Sequence, residues 1–217
     1  MTMRNNRAGT TSPRGKGRPR TFDREAALTR ALEVFWRQGY EPASVAELCE
    51  AMGINPPSLY AAFGNKAHLF LEAVKHYETV YWEPTWARMA ADPDLHHAIE
   101  TFFKDAARIL TSPEAPCGCL VVLAAVNVSE ASQDVLEALR TLRQEGKEAF
   151  LARLKRAVKD GALPRGTDVK ALACALKTLL EGMSLQARDG MPRSDLEGIA
   201  KAAVSMLSPR PAATRRA

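Results

Sequence analysis

Apolar residues recur along this chain every three to four positions, the period of helices with one buried face. Leu28, Leu32 and Phe35, flanked by Ala27, Ala31 and Val34, predict a helix over residues 24–38, capped by Asp23 and closed by Gly39 and Tyr40. Val45, Leu48, Cys49 and Met52 fall at i, i+3, i+4 and i+7, and Leu59 and Phe63 are four apart, so two short helices follow. Leu69, Phe70, Ala73, Val74, Tyr77, Val80 and Tyr81 stripe a helix that starts at Lys66 and is expected to end before Pro84. Leu95, Ile99, Phe102, Phe103, Ala106 and Leu110 predict another, started by Asp92-Pro93 and ended by Ser112-Pro113. The run from Cys117 to Val128 is apolar nearly throughout. Its valines would suit a strand, but no second strand candidate exists to pair with it, so it reads as a buried helix. A long helix over 133–159, with Gly146 as a weak point, and two helices striped by Val169 to Met183 and by Leu196 to Leu207 complete an all-α chain.

The stretch 44–63 carries the candidate chemistry. Ser44 with Glu47 three residues on is a capping box. Gly53 permits the sharp exit, Asn55 can cap the next helix, and Pro56 suits its first turn, where a missing N–H costs nothing. Leu59 and Phe63 face inward, leaving Ser58, Tyr60 and Ala61 outward. This is a helix-turn-helix, whose second helix enters the major groove in DNA-binding versions; a plain αα-hairpin is the alternative. The flanks favour DNA. Residues 1–20 hold Arg4, Arg7, Arg14, Lys16, Arg18 and Arg20 and no acid, too polar to build a core, and so are expected to be disordered when free. Arg18 and Arg20 would suit a narrow minor groove.

The run from residue 20 to residue 70 resembles the N-terminal domain of the TetR (tetracycline-repressor-like) family of bacterial regulators. The resembling residues are Ala31, Leu32, Phe35, Gly39, Tyr40, 44–48 (SVAEL), 52–54 (MGI), 58–60 (SLY), Phe63, Asn65, Lys66, Leu69 and Phe70. A basic or polar residue usually stands where Pro56 is, and a larger polar residue often stands at Ala61 or Ala62. Base readout is therefore expected to rest on few side chains. Ser44 sits at a helix N-terminus, where free N–H groups attract phosphate. Ser58 and Tyr60 are placed for phosphate or base edges, Pro57 and Ala61 for thymine methyls. Lys66 occupies a position resembling the family's phosphate-binding lysine. The resemblance also implies that the last two helices, about 168–207, meet their copy across a two-fold axis. The expected architecture is therefore a disordered arm 1–20, a three-helix helix-turn-helix DNA-binding domain 21–66, a linker helix 66–82, a helical ligand-binding and dimerisation domain 83–208, and a disordered tail 209–217.

Of the formal net charge of +5, +4 lies in residues 1–70, which hold 10 Lys/Arg against 6 Asp/Glu. A basic end on a nearly neutral body suits a DNA reader attached to a sensor. The expected function is a homodimeric repressor released from an inverted-repeat operator by a small molecule of unknown identity. Trp82, Trp86, Met89, Phe102 and Phe103 suggest an apolar, aromatic pocket, although plain core packing explains each of them too. Cys117 and Cys119, at a helix start and with His96 and His97 near in sequence, raise an alternative: an oxidant, an electrophile or a soft metal as the signal. Buried, inert thiols are the plainer account. An effector-independent DNA binder is a further alternative. The four cysteines do not make a disulfide framework, no stretch reaches the roughly 20 apolar residues of a membrane span, and a cytoplasmic location is expected. No Gly-rich phosphate loop, Gly-x-Ser-x-Gly or His-Glu-x-x-His occurs, so no enzyme, cofactor or resident metal is expected.

Overall fold

The computed structural model describes residues 22–124 and 128–207, and its regular elements there are all helical. Helices α1 (Arg24–Gln38), α2 (Val45–Met52) and α3 (Pro56–Phe63) form a compact unit with the start of α4 (Lys66–Tyr77). Its core is the predicted one: Leu28, Leu32, Phe35, Leu48, Met52, Leu59, Phe63, Leu69 and Phe70 are buried. Each such side chain contributes about 1.5–3 kcal/mol by leaving water. Local signals act as the sequence suggested. Asp23 accepts from the backbone of Glu25 and Ala26, Asn55 from Ser58, and Gly53 leaves α2 at φ +67°, a left-handed turn that suits glycine.

The body differs from expectation at three places. The helix starting at Lys66 does not stop before Pro84. After Tyr77 it widens into a π-helical turn, Glu78–Trp82, and runs directly into α5 (Glu83–Ala91). Pro84 sits in the first turn of α5, just past the wide turn, a position that tolerates proline. Helix α6 (Leu95–Leu110) is capped by Asp94, whose carboxylate accepts from His96 and His97, rather than by Asp92-Pro93. The apolar run after Cys117 gives a four-residue helix, α7 (Leu120–Leu123). The buried helix expected from Cys117 begins only at Leu120, and residues 125–127 lie outside the described residues. Helix α8 (Gln133–Lys159) has the predicted bounds, followed by α9 (Val169–Arg188) and α10 (Arg193–Ser205).

Helix α6 is the centre of the body, packed on α5, α9 and α10, with α8 across α9, α4 and α5. An aromatic cluster fills the α5–α6–α8 junction. Trp86 and Phe102 lie with ring centroids 4.4 Å apart, and Phe150 meets both edge-on. Helix α8 runs unbroken through Gly146, which is buried where a Cβ would lie 3.3 Å from Trp86 Cζ2. Arg153, also buried, reaches from α8 to the carbonyls of Asp92 and Pro93. Arg156 binds the carbonyls of Ala90 and Asp92. Two arginines thus satisfy the C-terminal end of α5.

Candidate DNA-reading face and body cavity

On α3, Leu59 and Phe63 turn into the core, while Pro56, Pro57, Tyr60 and Ala61 are exposed and Ser58 is half-buried. Tyr60 keeps 50% of its surface open, unusual for an aromatic without a partner. Ser44 closes a complete capping box. Its hydroxyl donates to Glu47 Oε2 at 2.6 Å, its Oγ accepts from the Glu47 N–H at 3.2 Å, and the same carboxylate accepts from the Ser44 N–H at 2.9 Å. These hydrogen bonds hold the Glu47 carboxyl below the usual carboxylate range, so it stays ionised. The Ser44 proton is therefore committed to the cap, and an anion stands at the α2 N-terminus. In the DNA-free chain this hydroxyl makes the cap.

Lys66 does not hang free. Its ammonium lies 4.6 Å from the centre of the Tyr40 ring and donates to the Glu41 carbonyl at 3.0 Å. Burial lowers its pKa from the ordinary lysine value, and the Glu41 carboxylate opposes that. Glu41 itself accepts from the Ser129 N–H at 3.0 Å and from the hydroxyls of Ser129 and Ser132 at 2.7 and 2.9 Å, bonds that keep it ionised. Two further ties brace the reading unit. Arg24 pairs with Glu72 at 2.6 Å, and Trp36 Nε1–H donates to the Gly118 carbonyl at 2.9 Å in a buried site.

A narrow cavity lies between the π-turn, α7, α8 and α9. Trp82, Trp86, Cys119, Val121, Leu142 and Leu180 give it apolar walls, while Glu78 and Lys177 supply charge. Its water-accessible space is about 30 Å³, room for one or two waters. Burial raises the Glu78 carboxyl to about 7, with the Lys177 ammonium opposing and the Glu145 and Glu83 carboxylates adding to the rise. Lys177 pairs with Glu181 at 3.2 Å. Burial, reinforced by Glu78, also raises the Cys119 thiol, which stays protonated at neutral pH. Near the thiol, the Tyr77 hydroxyl accepts from Trp82 Nε1–H at 2.7 Å. A second, open groove of about 330 Å³ runs between α5 and α6 over Met89, Ala98 and Phe102. Asp105 is buried beneath Arg88 and Arg108 at its edge.

Residues 27–73 match the family model for bacterial regulatory proteins of the tetR family, and residues 97–195 that for a tetracyclin repressor-like C-terminal domain. The chain is 32% identical over 188 residues to the HTH-type transcriptional repressor ComR of Escherichia coli (strain K12), over 86% of this chain and 90% of ComR. The chain belongs to the TetR family. It is thus a DNA-binding transcriptional regulator with an N-terminal helix-turn-helix and a C-terminal helical domain. Another relative, the repressor BdcR of Escherichia coli (strain K12), is 38% identical over 106 residues, 49% of this chain and 54% of BdcR. Among solved structures, the TetR-family regulator CifR, as a cysteine mutant complexed with 26bp double-strand operator DNA, matches at 42% identity and TM-score 0.84. That match covers 88% of this chain and 100% of CifR.

Set on this TetR-family frame, the predicted residues separate. Ser44, Pro57, Ser58, Tyr60, Ala61 and Lys66 share one end of the molecule; Arg18 and Arg20 lie outside the described residues. The residues expected to form one effector pocket divide. Trp82, Trp86 and Cys119 line the cavity, Met89 and Phe102 floor the open groove, Phe103 is core, and Cys117 is exposed. His96 and His97 open α6 and the two cysteines follow its end, about 24 Å away for 16 residues. The imagined soft-metal site is therefore not assembled. Among the described residues, no three His, Cys, Asp or Glu are grouped to hold a metal ion. Trp36, Glu41, Glu78 and Lys177 went unnoticed in the sequence. Trp36 continues the Leu28–Leu32 stripe and was legible as core. Nothing local marks Glu78 as a buried carboxyl.

Proposed function

We propose that this TetR-family regulator is a homodimeric repressor that occupies an inverted-repeat operator and is released when a small molecule enters the cavity of each body. The observation that carries this reading is the cavity itself: two indoles, a carboxyl and an ammonium converge on a space too small for a ligand in the present state. The wall beside that space is hydrogen-bonded to the reading unit. A ligand can act only through its different affinity for the two states, and a cavity too narrow for it in one of them supplies that difference. Repression is supported by ComR and operator binding by CifR. In this reading Tyr60, Ser58, Pro57 and Ala61 meet base edges and backbone, Arg18 and Arg20 reach the minor groove, and Lys66 takes a phosphate on leaving Tyr40. The dimer forms through α9 and α10, whose outward faces carry Leu185, 55% exposed, and the exposed small residues Ala171, Gly182, Gly198 and Ala202.

The test is selection of bound sequences from random duplex DNA by the full chain and by Tyr60→Ala. An inverted repeat with half-sites about 34–36 Å apart or wider, its preference altered by Tyr60→Ala, is the expected result. Salt-sensitive binding with no enriched sequence would overturn it. Thermal shift and operator release with a panel of apolar and aromatic ligands then probes gating. No ligand response under any condition leaves an effector-independent regulator. A second reading, sensing through cysteine, is favoured by the place of the Cys119 thiol in the cavity wall, two residues from exposed Cys117. Operator release by copper or electrophiles that persists in Cys117→Ser/Cys119→Ser would remove it.

A further inference from the structure

We propose that Trp36 is the positioning residue through which the state of the cavity sets the orientation of the reading unit, acting through the Gly118–Cys119 peptide. The inference rests on the gated reading above. The side chain of Cys119 lines the cavity, and its own N–H donates to Ser184 Oγ of α9 at 2.8 Å in a buried site. The carbonyl on the other side of that peptide bond belongs to Gly118 and accepts from Trp36 of α1. The Gly118 N–H donates to the Leu110 carbonyl at the end of α6, at 2.9 Å. Two consecutive residues are thus fastened to α1, α6 and α9.

The segment has no slack. Gly118 sits at φ +86°, and a Cβ there would lie 2.6 Å from Leu123 Cδ1 and 2.9 Å from the Ser184 carbonyl. A displacement of Cys119 therefore cannot be absorbed beside it, because close-packed interiors move as units. An occupant larger than one or two waters must push a wall of this cavity. Cys119 is the wall whose backbone holds α1. The ring of Trp36 reports a second wall, since it packs edge-on against Tyr77 at 4.6 Å and Tyr81 at 5.2 Å. Tyr77 in turn holds Trp82, which lines the cavity. Helix α4 also reaches the cavity, through the π-turn that follows it, but the side-chain ties of the reading unit behave differently. Arg24, Glu72, Glu41, Ser129 and Ser132 do not line the cavity, so they brace the reading unit without sensing the space.

The experiment uses Cys119→Met, which adds two heavy atoms to the cavity without any ligand, and reads amide hydrogen exchange in the DNA-free full chain. Exchange over residues 45–63 is expected to rise at least threefold. With Trp36→Phe added, which keeps a ring in the core but removes the indole N–H, the rise stays within the body. With Glu41→Gln added instead, it still reaches residues 45–63. An equal rise with and without Trp36→Phe, or no rise in a folded Cys119→Met protein, overturns the proposal. Should Cys119→Met not fold, Cys119→Val, which adds one heavy atom at the same place, provides a smaller wedge and the same two outcomes. An operator arm separates this inference from the broader reading. If the parent chain selects no sequence, the repressor reading fails while the exchange result still decides the coupling. If it selects one, Cys119→Met should bind it at least tenfold more weakly, and adding Trp36→Phe should restore most of that loss.

Discussion

Glu78 and Lys66 show how far a residue's neighbours can shift its role. In the sequence each is an ordinary charged residue on a helix. In the fold, burial brings the Glu78 carboxyl up from 4.5 to about 7, so the folded chain holds that proton more tightly than the unfolded one. The stability it confers is fully present below 4.5 and is lost as pH rises to about 7, an effect of roughly 3 kcal/mol at most. Glu78→Gln should therefore raise the melting temperature at pH 8 and leave it nearly unchanged at pH 4.5; thermal unfolding at the two pH values checks this. Lys66 looked like a free phosphate ligand but rests on Tyr40 and the Glu41 carbonyl. Lys66→Ala should thus lower stability by about 1 kcal/mol, the scale of a cation–π contact and a hydrogen bond, besides weakening DNA binding to all sequences alike. Chemical denaturation read beside operator affinity distinguishes the two losses. For Tyr60 the sequence and the fold agree, because Leu59 and Phe63 define the face turned to the core and Tyr60 points away from it.

At the scale of elements, the helices that were easiest to read are those with complete local signals. Helix α1 has an Asp cap and a Gly exit, α2 a capping box, α3 Asn with Pro, and α8 a long unbroken stripe. The misread element is the joint between α4 and α5. A proline in sequence signals a break, but here the chain enters it through a wide turn that places Pro84 where proline is tolerated. Only packing of Trp82 and Tyr77 against the body selects that turn. The loop into α7 is similarly tertiary in origin. Its Gly118 meets Leu123 and Ser184, so Gly118→Ala combines left-handed strain with overpacking, and a loss of about 2–4 kcal/mol is expected. Gly146→Ala should be near neutral, since a Cβ at 3.3 Å from Trp86 offsets the roughly 1 kcal/mol of helix propensity that alanine adds. Equilibrium unfolding of both variants tests the contrast; equal losses would show that the α7 loop is not tightly held.

Across the whole molecule, the reading unit is braced to the body at separate points, one of them at the cavity wall, while the positive charge of this end lies in residues 1–20, outside the described residues. Operator affinity should fall steeply with salt, because basic side chains on phosphates release counterions. Deleting residues 1–20 should flatten that slope; titrations between about 50 and 200 mM salt would show it. Leu185→Glu, on the outward face of α9, should shift the chain toward monomer in sedimentation and abolish binding to an inverted repeat. Monomer folding should be little affected, because Leu185 is exposed.

The sequence by itself determined most of the helices, the caps of α1 to α3, and the inward and outward faces of the reading unit. These follow from spacing and from interactions within four residues. Tertiary structure decided what depends on distance in space. It joined Trp36 to Gly118 and Glu41 to Ser129, parted the expected pocket residues between cavity and groove, held the histidines a helix length from the cysteines, and buried Glu78. Burial and dielectric are properties of everything packed around a group, and no local pattern of residues encodes them.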